Sequence, residues 1–355
     1  MSKSPIPPPQ THGSADIPDV PVAVIGSGYW GRNLTRNFSR IGVLKAVCDA
    51  DTTVLADIEQ QFPGVAVTSR LEDVLDRADI AAVAIATPAE THAGLIRKAF
   101  GAGKHVFVEK PFVLKEEEGR GLEAEASSRG LTLMVGHILQ YHPAFLALKN
   151  MAEGGELGTL NYIYSHRLNL GKFRREENIL WSFAPHDISM ILALAGGTPE
   201  SVLATGGSYL NRDIADVTTT HLTFPSGLRA HIFVSWLHPF KEQKMVVVGD
   251  RKMTVFDDTR PWQEKLAVYP HEITWDNGLP VPTRAEPSYV PLPEQEPLLM
   301  ECRHFLECTV TGATPRTDAR EGLRVLRVLN LSQESIDEGG TKRFFDVGNQ
   351  SSAHS

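Results

Sequence analysis

The chain has 355 residues, enough for two domains of ordinary size. Its 42% hydrophobic and 22% charged residues are the composition of a globular chain with ample core. A formal net charge of -8, with no block of Lys and Arg, counts against a nucleic-acid partner and leaves room only for a local basic pocket.

Three cysteines, Cys48, Cys302 and Cys308, are too few and too irregular for a disulfide framework or a zinc motif. They read as plain thiols in a reducing compartment. Residues 1–18 are rich in Pro and Ser, lack the apolar stretch of a secretory signal and read as a disordered tail, as do residues 346–355. No apolar run is long enough to span a bilayer, so the expectation is a cytoplasmic protein without a membrane partner.

From residue 20 the pattern is regular. Residues 20–25, VPVAVI, form a short strand apolar on both faces. A glycine-rich turn and a helix over 29–40 follow. Strands are expected at 44–48, 66–67, 80–86, 105–108 and 131–135. The helices between them fall at 52–62, 71–77, 90–102 and 115–128. This alternation predicts a Rossmann-type, doubly wound parallel sheet over 19–137.

The texture then changes. A helix over 143–152 is followed by longer alternating runs at 160–168, 201–209, 218–224, 228–236 and 244–248, with a helix at 186–195. These predict, over 138–345, an α+β domain with a mostly antiparallel mixed sheet, open on one face. Residues 261–297, Pro-rich and without period, read as a long loop. Helices at 298–311 and 318–338 close the chain, the second capped by Thr317 or Asp318. There is no internal repeat.

Gly26-Ser27-Gly28-Tyr29-Trp30-Gly31 matches G-x-G-x-x-G between a buried strand and a helix. The first glycine permits the tight turn, the second lets the backbone approach a pyrophosphate, and the third allows close helix packing. The helix N-terminus offers free N–H groups to the phosphates. Asp49 ends the second strand, where a carboxylate accepts from ribose hydroxyls and repels a 2′-phosphate. The pattern therefore points to NAD rather than NADP, with a flavin or other nucleotide as the alternative.

Glu109-Lys110-Pro111 closes the fifth strand, at the sheet edge where ligands sit. An ammonium there can stabilise alkoxide character on a carbinol oxygen. Placement alone leaves open a surface lysine paired with Glu109.

With these pieces, Ala86-Thr87-Pro88 with His92, and Ala184-Pro185-His186-Asp187, the chain resembles the Gfo/Idh/MocA family of sugar and inositol oxidoreductases. The resemblance implies that Lys110 and His186 act on the substrate hydroxyl. It implies that Thr87, Pro88, His92, Glu109 and Gln140 line the cofactor, and that Tyr141 and Asn169 lie at the substrate. Inositol dehydrogenases carry an Asp four residues before the histidine; Ser182 stands there in this chain. The segments 167–172 and 181–187 are closer to UDP-N-acetylglucosaminuronate 3-dehydrogenases, which oxidise C3 of a nucleotide sugar. Some of these recycle bound NAD with a 2-oxo acid such as 2-oxoglutarate.

Independently, Arg167, Lys172, Arg174 and Arg175 crowd one strand–loop segment and suit an anionic substrate, although Glu176 and Glu177 follow at once. His137, His142 and His186 lack the spacing of a helical zinc site, and no metal is expected. Other readings are a 3-keto sugar reductase, a free-sugar or inositol dehydrogenase, and a non-catalytic NAD sensor. The open sheet face suggests a homodimer or homotetramer.

Overall fold

A strand with every side chain apolar needs cover on both faces, and β1 (Val22–Ile25) and β4 (Ala82–Ile85) are buried throughout. The computed structural model describes residues 18–171 and 173–345. Lys172 and the two expected tails, Pro18 apart, lie outside the described residues. With β2 (Leu44–Cys48), β3 (Ala66–Thr68), β5 (His105–Glu109) and β6 (Leu133–Gly136), these strands form one parallel sheet in the order β3-β2-β1-β4-β5-β6. Helices α1 (Gly31–Ile41), α2 (Thr52–Gln61), α3 (Glu72–Leu75), α4 (Ala89–Gly101) and α5 (Glu116–Arg129) make the crossovers. Separate apolar clusters, one around Phe38 and Phe107, the other around Phe100 and Val106, cover the two faces. Strand order reverses between β1 and β4, which opens a crevice beyond their carboxyl ends.

The second sheet has nine strands. They are β7 (Leu160–Leu170), β8 (Ser201–Gly207), β9 (Val217–Thr223), β10 (Arg229–Ser235), β11 (Leu237–Gly249), β12 (Met253–Asp257), β13 (Leu266–Tyr269), β16 (Ser288–Tyr289) and β17 (Arg343–Phe344). β14 (Glu272–Asp276) and β15 (Leu279–Thr283) form a separate hairpin. The order is β16-β13-β12-β11-β7-β10-β9-β8-β17; β7 and β10 run parallel, the other pairs antiparallel. One face, with Ile163, Ile232 and Val247, packs into the core with α6 (Pro143–Glu153) and α7 (Ile179–Ala195). On the other face Tyr162, Tyr164, His231 and Phe233 are partly exposed.

Three expectations change. The stretch 261–297 is not a loop, since it holds β13, the β14–β15 hairpin and β16. The hairpin turns on Asn277 and Gly278, both at positive φ, the pair a two-residue turn favours; the prolines at 280 and 282 hid its strands. Helix α7 begins at Ile179, not after Pro185, because Asn178 caps it by accepting from the Trp181 N–H. Pro185 lies inside a helix buried along most of its length, and burial offsets the lost N–H bond. β11 starts at Leu237 rather than at 244; its outer half is partly exposed and carries no apolar alternation to mark it in the sequence.

The C-terminal helices return to the first sheet. α8 (Pro297–Thr311) places Leu298, Cys302 and Phe305 in the core with Leu34, Phe38 and Phe107. α9 (Ala319–Asp337) is capped by Asp318, which accepts from the Glu321 N–H. Just before it, the Thr317 carbonyl accepts from the Val135 N–H at 2.8 Å. A Cβ on Gly322 would meet Val135 at 2.8 Å, so helix and β6 touch closely. At its far end Ser335 Oγ takes the Ala204 N–H of β8. One helix thus holds both sheets. Among the described residues no helix is long and apolar enough to cross a membrane.

Candidate active site

The glycine turn sits at the switch point. Gly26 has φ +84, reachable without strain only by glycine, and its N–H donates to the Cys48 carbonyl. A Cβ on Gly31 would lie 2.0 Å from the Gly26 carbonyl oxygen, so only glycine lets the helix start there. A Cβ on Gly28 would meet nothing within 4 Å: that glycine faces open space. α1 has no side-chain cap, and its Arg32 and Asn33 N–H groups already donate to the Gly28 and Trp30 carbonyls, so its start offers a ligand chiefly the positive end of the helix dipole. Asp49 Oδ2 accepts from the Ser27 N–H at 2.6 Å, and Oδ1 from the Asp51 N–H. The carboxylate is held against the turn with lone pairs to spare. Ser27 Oγ points inward to Thr35, whereas Tyr29 is exposed. These residues fit a dinucleotide: an open approach at Gly28, a helix start and a fixed acceptor.

At the end of β5, Glu109 Oε1 accepts from the Trp30 indole N–H. The side chain folds over Gly136 of β6, where a Cβ would lie 2.9 Å from Glu109 Oε2. Burial pushes the Glu109 carboxyl up to about 7, against the pull of the Trp30 hydrogen bond and Lys110. Lys110 Nζ donates to the Ser182 carbonyl of α7 at 3.0 Å. Burial lowers its ammonium below the ordinary value, with Glu177 opposing.

His186 lies one turn beyond Ser182 on α7. Burial holds its imidazole well below the usual range, and the positive charges of Lys110 and Arg167 push it further down. It is therefore neutral at physiological pH, as a proton acceptor must be. Lys110, at the end of a strand of the first sheet, is thus tied to α7 one turn before His186, and its charge acts on that imidazole.

Several of the other expected residues are already engaged within the protein. Gln140 is buried, its amide donating to Ser189 Oγ at 2.7 Å and Glu321 Oε1 at 2.9 Å. Tyr141 is 1% exposed, its hydroxyl on Thr317 and its ring among the core of the first sheet, so no substrate reaches it. Arg167 is not free to grip an anion: Nε and Nη2 lie 2.9 and 3.3 Å from the two oxygens of Asp187, which also accepts from Ser165. Arg174 pairs with Glu177. Arg175 is exposed and Asn169 partly buried; Lys172 is outside the described residues. His92 bridges the carbonyls of Thr87 and Pro111, bracing the ends of β4 and β5, and the Thr87 hydroxyl bonds Thr91. Pro88 precedes α4 and is exposed. His142 caps α6 and faces Asp258.

Sequence reasoning weighed His137 only as a metal ligand and passed over Glu321. His137 follows β6, and its Nε2 lies 3.4 Å from Glu321 Oε2 on α9. The rule that ligands gather beyond strand ends singles out the residue after β6 as it does Lys110; Glu321 left no comparable signal.

A glycine-turn parallel sheet whose fifth strand ends in a lysine held against a helix of a second, mostly antiparallel sheet domain, one turn before a histidine, defines a two-domain dehydrogenase. Residues 20–137 match the family described as an oxidoreductase family with an NAD-binding Rossmann fold, and residues 145–255 match the GFO/IDH/MocA C-terminal domain. The chain belongs to the Gfo/Idh/MocA family of NAD-binding oxidoreductases. It is 31% identical over 250 residues to UDP-N-acetylglucosamine 3-dehydrogenase of Acidithiobacillus ferrooxidans, covering 69% of this chain and 72% of the relative. A solved structure of that enzyme superposes with a TM-score of 0.79 at 26% identity, over 89% of this chain and 97% of the other. The scyllo-inositol 2-dehydrogenase (NAD(+)) of Bacillus subtilis is 26% identical, over 82% of this chain and 87% of the relative.

Proposed function

We propose that the protein is an NAD-dependent dehydrogenase that oxidises the C3 hydroxyl of a UDP-linked N-acetylhexosamine sugar, of the UDP-N-acetylglucosaminuronic acid type. The observation that carries this is the hydrogen bond from Lys110 to the Ser182 carbonyl, which ties the lysine to α7 one turn before neutral His186. The 31% identical relative, named for 3-dehydrogenation of UDP-N-acetylglucosamine, supports the nucleotide sugar and the position. With Arg167 locked to Asp187, the pyrophosphate is the better anionic handle, and a sugar carboxylate is not required.

NAD would be held by the turn from Gly26 to Gly31, by Asp49 and by the β4 and β5 ends with Thr87, Pro88, Trp30 and Glu109. When bound it supplies the hydride acceptor. The Asp49 carboxylate favours the free ribose of NAD over NADP. His186 takes the hydroxyl proton as the C3–H bond breaks. Lys110 donates a hydrogen bond to the same oxygen and stabilises its growing negative charge. Release from the Ser182 carbonyl frees the ammonium for this task. The domains divide at residues 137 and 138, and copies associate through the open face of the second sheet, where Tyr162, Tyr164 and Phe233 are partly exposed. Three buried, unpaired cysteines suit the cytoplasm.

The test is incubation with NAD and, separately, UDP-N-acetylglucosaminuronic acid, UDP-N-acetylglucosamine and scyllo-inositol, each with and without 2-oxoglutarate. Products are read by mass spectrometry. Loss of two hydrogens from a UDP-sugar supports the reading, and 2-hydroxyglutarate would add cofactor recycling. Turnover of inositol alone would refute the nucleotide-sugar assignment.

A further inference from the structure

A cavity of about 610 Å³ lies between helices of the two domains, and none of the residues placed at the cofactor, at Lys110 or at His186 lines it. Its walls are the start of α5, the middle of α9, the end of α7 with the turn after it, and Phe345. Its volume is within the roughly 300–1,000 Å³ of small-molecule sites. Close packing borders it. Beside it α5 and α9 approach so tightly that a Cβ on Gly119 would lie 2.7 Å from Leu323 Cδ2. Phe345 is fixed by its N–H, which donates to the Glu200 carbonyl at 3.1 Å. Leu192, Pro199 and Phe345 are buried and give the cavity an apolar side.

The other side is cationic. Arg120, Arg324 and Arg327 line it against the carboxylates of Glu116 and Glu117, which leaves a positive balance. Glu116 is fully engaged. Its Oε2 accepts from Arg120 at 3.1 Å, and its Oε1 from Arg327 at 3.3 Å and Asn330 at 3.0 Å. On α9, Arg320 has Glu123 and Arg327 has Glu116. Arg324, between them, is partly buried and has no ion pair or hydrogen bond among the described residues. A guanidinium drawn out of water without an acceptor is costly, and its planar fork suits the paired oxygens of a carboxylate or phosphate.

We propose that this cavity is a second binding site, for a small organic anion whose carboxylate or phosphate group lies on the Arg324 guanidinium and whose apolar body lies against Leu192, Pro199 and Phe345. The site is separate from the catalytic centre and does not depend on which sugar is oxidised. Its occupant touches α5 of the first domain and α7 of the second, so binding stabilises the folded chain by mass action.

The test is calorimetric titration of the NAD-loaded full chain, whose glycine turn is then filled, with phenyl phosphate, benzoate and inorganic phosphate. At least one of the two organic anions is expected to bind and to raise the melting temperature, and the tighter of them tells a phosphate ligand from a carboxylate. Inorganic phosphate, without an apolar body, is expected to bind more weakly. Arg324→Gln should weaken binding at least about tenfold, the scale of one charge-assisted hydrogen bond, with the ligand-free melting temperature unchanged. Should that variant melt early, Arg324→Lys, which keeps the charge but not the fork, is expected to bind with intermediate affinity. Glu116→Gln removes the carboxylate that occupies Arg120 and Arg327 and is expected to tighten binding. Failure of both organic anions to bind, or binding indifferent to the Arg324 and Glu116 substitutions, overturns the proposal. Inorganic phosphate binding as tightly as phenyl phosphate overturns the part given to the apolar wall.

Discussion

Lys110 Nζ and the Ser182 carbonyl are joined at 3.0 Å across the boundary between the two sheets, one turn of α7 before His186. The contact sets the distance between a lysine delivered by a parallel strand and a histidine delivered by a helix. It also keeps the ammonium hydrogen-bonded until a substrate oxygen replaces the carbonyl. Removing the ammonium should leave the nucleotide site whole. Lys110→Ala is expected to lower kcat by about 100-fold or more, the scale of a lost proton-transfer or oxyanion partner, with NAD affinity unchanged by calorimetry.

Gly28 and Gly31 make a paired test of the turn. A methyl on Gly31 meets the Gly26 carbonyl oxygen at 2.0 Å, so Gly31→Ala should destabilise the fold by about 1–3 kcal/mol, as overpacking does, and lower the melting temperature. A methyl on Gly28 meets no protein atom, so Gly28→Ala should melt like the parent yet bind NAD more weakly. Equal melting of both variants with equal NAD affinity would contradict this account of the turn.

Asp49 decides between the two nicotinamide nucleotides. Asp49→Ser removes the negative charge but keeps a small polar side chain. NAD binding should weaken about tenfold, the size of a lost hydrogen bond to a charged group, while NADP binding should gain. Titration with both nucleotides measures the ratio.

Two groups give opposite pH signs. His186 titrates below its ordinary range in the free enzyme, so kcat/KM should stay flat through neutrality and fall only as the medium becomes acid enough to protonate it. Glu109 is raised from 4.5 to about 7, so between these values the folded chain holds a proton that the unfolded chain has lost. Stability is therefore lost as pH rises through that window. Glu109→Gln should remove the loss, a gain of about 3 kcal/mol at most above pH 7 from about 1.4 kcal/mol per pKa unit. Melting temperatures of both proteins from pH 5 to 8 check it.

Much of the first sheet was legible because each buried strand is an unbroken apolar run between turn residues, and because the glycine turn has one steric solution. Lys110 was legible because it ends such a strand. His186 was found only through a family motif, since Pro185 made the helix look as if it began there. Arg167 misled because spacing shows that cations are close but not that Asp187, twenty residues on, already neutralises one of them. Tyr141 and Gln140 misled for a related reason. They follow β6 where a site is expected, but a tight helical turn swings both side chains into the interior. Glu321 was invisible, because its pairing with His137 depends on α9 folding back across both sheets from 184 residues further along the chain.

The most direct measurement is the rate of hydride transfer in one turnover, followed as reduced cofactor, for Lys110→Ala, His186→Ala and the double variant with NAD and a UDP-sugar. If both groups act on one hydroxyl, each single change should slow transfer by about 100-fold or more, and the double change should be far less than the product of the two. Near-parental rates in both single variants, with NAD bound, would contradict the assignment of this pair as the catalytic centre.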